Sequence, residues 1–138
     1  MIKETIKEKF NLDYENNQTK SGLIKWYNNL LNKSPCELNA VDVSKMIRQD
    51  ILKDFALDIL IDLIIANPFD GEMYDGDLLN LIISEGIEEI RNKKGFNDLV
   101  LRLDGIDDKI NEFDWITEKD KELFKVNLRY LIKAVGEF

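Results

Sequence analysis

Apolar residues along most of the chain recur three and four positions apart, the spacing of one helix face and not of a strand. Turn-prone polar residues separate these periodic segments. We therefore expect an all-α fold, with residues 1–138 forming a single compact domain of about six or seven helices around one core. The pattern predicts helices over 21–31, from 39, over 53–66, from 77 to about 95, over 96–103 and from 117 onward, with helical spacing also at Ile2, Ile6 and Phe10 and at Ile106, Ile110 and Phe113.

Residues that begin or end helices occupy the boundaries of these segments. Ser21, Asn39 and Thr117 can each accept a hydrogen bond from the free amides of a first helical turn. Pro35 and Pro68 end the helices before them, because the residue before a proline is disfavoured in the helical conformation.

Two of the predicted helices differ in character. The segment 53–66 is apolar around most of its circumference except for Asp54, Asp58 and Asp62, which follow one another at intervals of four. This pattern predicts a central helix that exposes only its acidic ridge to solvent. The next predicted helix contains Gly86, which lowers helix stability by about 1 kcal/mol relative to alanine.

The composition excludes several kinds of chemistry. The chain has no histidine, so Ser-His-Asp and Cys-His catalysis and histidine-ligated metals are excluded. Its single cysteine, Cys36, excludes an internal disulfide and cysteine-rich zinc sites. We interpret Cys36 as a small buried hydrophobic residue, because no histidine is present to activate its thiol. We expect no catalytic residue, no metal and no cofactor.

The N-terminal sequence and the apolar segments favour a cytoplasmic location. The first nine residues contain no apolar core and no cleavage site of a signal peptide. The longest apolar stretch, 55–66, is interrupted by Asp58 and Asp62 and is too short to span a bilayer. A lone cysteine also fits a reducing compartment.

Negative charge is concentrated in one part of the chain. The formal net charge is -8, which opposes nucleic-acid binding and suits a basic protein partner. Residues 1–69 carry a net charge of -1 and residues 70–138 carry -7, and the stretch 70–114 alone carries -8.

Residues 66–79 combine glycines, acids and a tyrosine in the order Ala-Asn-Pro-Phe-Asp-Gly-Glu-Met-Tyr-Asp-Gly-Asp-Leu-Leu. As a calcium loop beginning at Asp70 the stretch fails, because the sixth position is not glycine and the twelfth is not glutamate. We favour an architectural role, in which two glycines turn the chain, Asp75 or Asp77 caps the next helix and Tyr74 is a half-buried anchor. The structural residues of this motif are then Pro68, Gly71, Tyr74, Gly76 and Asp77.

A second stretch, residues 30–43, reads Leu-Leu-Asn-Lys-Ser-Pro-Cys-Glu-Leu-Asn-Ala-Val-Asp-Val and is followed by Met-Ile-Arg-Gln at 46–49. Together the two stretches resemble the immunity proteins of contact-dependent growth inhibition (CDI) systems, over about residues 23–84. The chain departs from that family's usual pattern at Ser34-Pro35-Cys36, in place of Lys-Pro-Leu, and at Asn39-Ala40, in place of Leu-Thr. Beyond about residue 91 the resemblance ends.

The resemblance implies a small cytoplasmic antidote without a reaction of its own. Such a protein binds the C-terminal toxin domain of a surface-displayed CdiA-type effector, often a nuclease, in a 1:1 heterodimer and occludes its active or substrate-binding surface. A nuclease must present a basic surface to phosphates, so an acidic face with aromatic anchors is the candidate toxin-binding site. Its residues are Asp70, Glu72, Tyr74, Asp75, Glu85, Glu88, Glu89, Asp104, Asp107, Asp108, Glu112, Asp114 and Trp115.

Two other functions stay open at this point. The density of acids at 70–77 could belong to a hydrolase that uses a carboxylate pair, although no spacing marks a pocket. A helical adaptor or regulatory protein unconnected with toxins is the other alternative. In each case we expect neither direct nucleic-acid binding nor membrane association.

Overall fold

The computed structural model describes residues 4–15 and 22–136 and confirms the all-α class, since no strand occurs in these two ranges. A 3₁₀ turn, Pro35–Glu37, joins the second and third helices. The α-helices of the described ranges are α1 (Ile6–Phe10), α2 (Gly22–Leu31), α3 (Ala40–Arg48), α4 (Lys53–Ala66), α5 (Asp77–Glu85), α6 (Ile87–Ile90), α7 (Phe96–Leu103), α8 (Asp107–Glu112) and α9 (Glu118–Gly136).

The helices of the described residues are shorter and more numerous than the six or seven expected. The helix predicted from 77 to about 95 is wrong in its extent: it ends before Gly86, whose φ of -153° is not helical, and α6 is a separate turn. Gly105, with φ +73°, similarly separates α7 from α8. The break at Gly86 lets Ile82 and Ile90 both reach the core, where each is fully buried.

Two of the predicted N-caps, those of Asn39 and Thr117, are formed, whereas the cap predicted at Asp75 or Asp77 is not, because Gly76 occupies that position. Asn39 Oδ1 accepts from the Asp42 amide at 3.0 Å and begins α3. Thr117 Oγ1 accepts from the Asp120 amide at 3.1 Å and begins α9. Ser21 and Ile2 lie outside the described residues.

Helix α4 is central, as its apolar pattern predicted. It packs against α3, α5, α6 and α7, while Asp54, Asp58 and Asp62 are exposed. Two of these carboxylates also form ion pairs, since Lys93 Nζ lies 2.6 Å from Asp54 and 3.3 Å from Asp58. Burial lowers the pKa of Lys93, but its hydrogen bonds to these two carboxylates outweigh that effect and leave the pKa raised. The turn before α7 is thereby tied to α4.

A buried carboxylate joins α2 to α3. The Asp42 side chain is enclosed and accepts hydrogen bonds from Trp26 Nε1 at 3.1 Å and from Lys33 Nζ at 2.7 Å. Trp26 and Tyr27 in α2 are half-buried against the core. The interpretation of Cys36 as buried is wrong: the 3₁₀ turn directs its neighbours at 34 and 38 inward and leaves the Cys36 side chain exposed.

Helix α9 completes the core from the C-terminal side. It packs on α5 and buries Phe124, Leu128 and Leu131. Among the described residues, no helix has the length and apolar character needed to cross a membrane.

Candidate functional site

We use "motif loop" for residues 70–77, which are built around the carboxylate of Asp77. Asp77 Oδ1 accepts from the amide of Glu72 at 2.8 Å, and Oδ2 accepts from the amides of Met73 at 2.9 Å and Tyr74 at 3.4 Å. The expectation that Asp77 caps the next helix is therefore wrong, because its carboxylate binds amides that precede it and not those of the first turn of α5. Asp77 is the first residue of α5, and its side chain reaches back to the loop, because Gly76 already occupies the cap position.

The two glycines of the motif loop are required by close contacts. A Cβ on Gly71 would lie 2.0 Å from the Tyr74 carbonyl oxygen and 2.7 Å from Asp77 Oδ1. Gly76 has φ +78°, and a Cβ there would lie 2.6 Å from the ring of Phe124 in α9. The buried Pro68 leads into this turn. The loop thus closes on itself and seats against α9 only with glycine at both positions.

The other carboxylates of the motif loop also have partners within the protein. Asp70 Oδ1 accepts from the Gly71 amide at 2.9 Å, and Glu72 Oε2 lies 3.1 Å from Arg48 Nη2. Asp75 Oδ2 accepts from the Ile116 amide at 3.3 Å. The acids of this loop stabilise its shape instead of converging on a pocket, which removes the observation that motivated a hydrolase. Within 4–15 and 22–136, no group of three or more acidic or cysteine side chains is placed to hold a metal ion.

Tyr74 links the motif loop to α5 and α9. The side chain is half-buried, and its hydroxyl accepts from Asn80 Nδ2 at 3.1 Å. Asn80 Oδ1 in turn accepts from Asn127 Nδ2 at 3.3 Å. Burial raises the pKa of Tyr74, and the negative charge of Asp77 raises it further.

Trp115 lies in an aromatic cluster that the sequence analysis missed. Its ring centroid is 5.4 Å from that of Phe69, 4.8 Å from that of Phe113 and 5.5 Å from that of Phe124. The indole N–H donates to the Ile110 carbonyl at 2.8 Å. Trp115 is half-buried, and its ring contacts hold the segment before α9 against Phe69 and Phe124.

We use "acidic segment" for residues 104–114, where the carboxylates are arranged differently. Asp107 lines a groove between α8 and α9 together with Lys125 and Arg129. Asp108 and Glu112 are exposed one helical turn apart, away from that groove. None of the five carboxylates forms an ion pair or hydrogen bond with another described residue, and all five are exposed; they are Asp104, Asp107, Asp108, Glu112 and Asp114.

The candidate acidic residues of α5 and α6 form a third group. Glu88 lies 3.2 Å from Arg91, and Glu89 lies 3.6 Å from Lys53. Glu85 is exposed at the end of α5. Surface pairs of this kind contribute little to stability, and they also partly neutralise the local charge.

Comparison with known protein families gives the assignment. The family model for CDI immunity proteins matches residues 8–98. The chain belongs to this family. No curated protein and no solved structure matches the chain.

The match to the CDI immunity proteins is wider than the resemblance first noted over 23–84. It contains the whole motif loop and ends within α7, so the acidic segment and α9 lie beyond it. The packing of the matched residues nevertheless depends on α9, because Phe124 of α9 packs against Gly76 and Phe69. In this CDI immunity protein the C-terminal third therefore completes the core and carries the five exposed carboxylates of the acidic segment.

Proposed function

We propose that this CDI immunity protein binds and neutralises the C-terminal toxin domain of a CDI effector in the cytoplasm, as a 1:1 heterodimer. The family match over residues 8–98 is the observation that carries the proposal. The protein acts by occupying the toxin surface and performs no reaction itself. The carboxylates of the motif loop support this view, because they are engaged in holding the fold. Asp77 accepts from backbone amides, Glu72 pairs with Arg48, and Asp75 accepts from the Ile116 amide.

We further propose that the toxin domain is a nuclease and that the acidic segment contacts its basic substrate surface. Five acidic residues against one lysine give 104–114 a strongly negative potential, and none of the five carboxylates is paired with a described residue. Such a field attracts a phosphate-binding surface and accelerates association. Acidic residues already paired within the fold, such as Glu72 and Glu89, contribute less to it.

Partner choice fits the acidic segment better than the motif loop. The motif loop lies within the residues that the family model matches, and its carboxylates are directed to its own backbone, to Arg48 and to the Ile116 amide. The exposed carboxylates of a segment outside the family match can change without disturbing that architecture. The candidate residues in the acidic segment are therefore the ones we propose for specificity.

The test is a reconstitution with the toxin domain encoded immediately upstream of this gene. Mixed at micromolar concentration, the two chains should co-elute in gel filtration with the mass of a 1:1 complex. The toxin domain alone should degrade DNA or RNA, and an equimolar amount of this protein should stop the degradation. Absence of a complex with that domain would contradict the proposal. A complex without nucleic-acid degradation by the free toxin would contradict only the nuclease assignment.

A further inference from the structure

The two most exposed large apolar side chains of the described residues are Met73 and Ile116. Their exposed fractions are 78% and 81%. A single exposed apolar residue is common on any protein surface. These two, however, lie on adjacent segments, because Asp75, two residues after Met73, accepts a hydrogen bond from the backbone amide of Ile116 at 3.3 Å.

Each of the two side chains is presented by a backbone with several fixed contacts. The Met73 amide is bound by Asp77 at 2.9 Å, and the amides on either side of it are bound by the same carboxylate. Ile116 lies between Trp115, which packs in the aromatic cluster, and Thr117, which caps α9. Because the backbone on either side is already ordered, covering these two side chains costs their rotamer freedom but little backbone freedom.

Acidic residues occur in both of the segments that carry this apolar pair. Asp70 and Asp75 are partly exposed in the motif loop, and Asp114 and Glu118 are exposed on either side of Ile116. An apolar centre with a charged rim is the usual anatomy of a protein interface. The rim is continuous with the acidic segment, which runs directly into Ile116.

We propose that Met73 and Ile116 form the apolar centre of the toxin contact. The partner surface that fits them carries apolar pockets flanked by lysine or arginine side chains, and the acidic segment lies along one side of the contact. This inference rests on the proposed function and adds the docking point to it. Methionine suits such a role because its unbranched, polarisable side chain adapts to the shape of a pocket.

The test compares serine variants of the full-length chain for binding to the immobilised toxin domain. Met73→Ser and Ile116→Ser should each weaken binding about tenfold or more, mainly through faster dissociation. Each variant removes an apolar side chain that the toxin domain would bury in the complex and leaves the charges unchanged. The matched control is Leu101→Ser, since Leu101 is 71% exposed on α7, which packs against α4. Its affinity should stay within twofold of wild type.

The outcomes separate this inference from the proposed function. If the wild-type chain does not bind the toxin domain, the proposed function itself fails. If wild type binds and the double serine variant binds within twofold of it, only the apolar centre is overturned. If the wild-type chain is a dimer that the double variant converts to a monomer with unchanged toxin affinity, the surface pairs two copies of this chain, and the proposal is again overturned.

A second measurement does not depend on any variant. The Met73 methyl resonance of the wild-type protein, followed by NMR, should shift or broaden when the toxin domain is added. An unchanged Met73 methyl signal in the saturated complex would contradict the inference even if a serine variant were poorly folded.

Discussion

The motif loop and the acidic segment are both rich in carboxylates, but they use them in opposite ways. In the loop, the Asp77 carboxylate alone accepts from three backbone amides, and Asp70, Glu72 and Asp75 also have partners within the fold. In the acidic segment the five carboxylates are exposed and make no ion pair or hydrogen bond to another described residue.

This difference shows that acid density in a sequence does not by itself mark an interface. A carboxylate that accepts backbone hydrogen bonds keeps its charge, but its oxygen atoms are engaged in holding the fold. A carboxylate facing water keeps its charge available to a partner. We therefore expect the carboxylates of the motif loop to stabilise the fold and those of the acidic segment to attract a partner. Substitutions in each region test this difference.

The largest effect should come from Asp77. We expect Asp77→Ala to lower the free energy of unfolding by about 3 kcal/mol, because three backbone amides lose a charged acceptor in a largely buried loop. Urea unfolding followed by circular dichroism measures this. Asp108→Ala in the acidic segment is the matched control and should change the unfolding free energy by less than about 0.5 kcal/mol. Equal effects of the two variants would erase the distinction between the regions.

Gly76→Ala should have the next largest effect on stability. Its Cβ would require both a left-handed backbone at φ +78° and displacement of the Phe124 ring, at a cost of about 2 kcal/mol. Gly105→Ala separates the two causes, because Gly105 has φ +73° but open space around its Cβ position. That control should lose only about 1 kcal/mol in the same unfolding measurement. If both variants lost the same amount, the contact with α9 would carry no cost.

Reversing charge in the acidic segment should act on association instead of stability. Asp104→Lys, Asp107→Lys and Asp108→Lys together should slow association with the toxin domain about tenfold at low salt and change dissociation less. The effect should shrink as salt is added, because exposed charges are screened. Stopped-flow mixing measures both rates. An association rate equal to that of wild type at low salt would remove the acidic segment from the proposed interface.

Much of this fold follows from local sequence signals. The apolar circumference of 53–66 predicts the central helix α4, and Asn39 and Thr117 predict the helix starts they form. Each of these signals lies within a single helix or its first turn. The expected number of helices was too low because Gly86 is a modest local penalty by itself. Its close approach to Leu57, whose Cδ2 would lie 2.9 Å from a Cβ at Gly86, is a contact between distant parts of the chain.

The candidate site depends more on contacts between distant parts of the chain. The aromatic cluster joins Phe69 to Phe113, Trp115 and Phe124, and no local spacing connects them. The role of Asp77 was misassigned because an acid at a helix start ordinarily interacts with amides that follow it, whereas its partners precede it in the loop. The pairing of Asp75 with the Ile116 amide was likewise beyond any sequence pattern.

The smallest expected effect is a pH dependence of the motif loop through Tyr74. Burial and the charge of Asp77 raise the pKa of Tyr74 in the folded protein above the ordinary value of about 10. Below pH 10 the phenol is neutral in both states and the full stabilisation is present. As the pH rises past 10, the unfolded chain ionises first, so the unfolding free energy falls until the folded-state pKa is passed. Unfolding in urea at a series of alkaline pH values should therefore show a shallower decline for Tyr74→Phe than for wild type. Identical slopes would mean that the phenol titrates as freely in the loop as in the unfolded chain. That result would contradict the closed surroundings of Tyr74, which distinguish the loop from the exposed acidic segment.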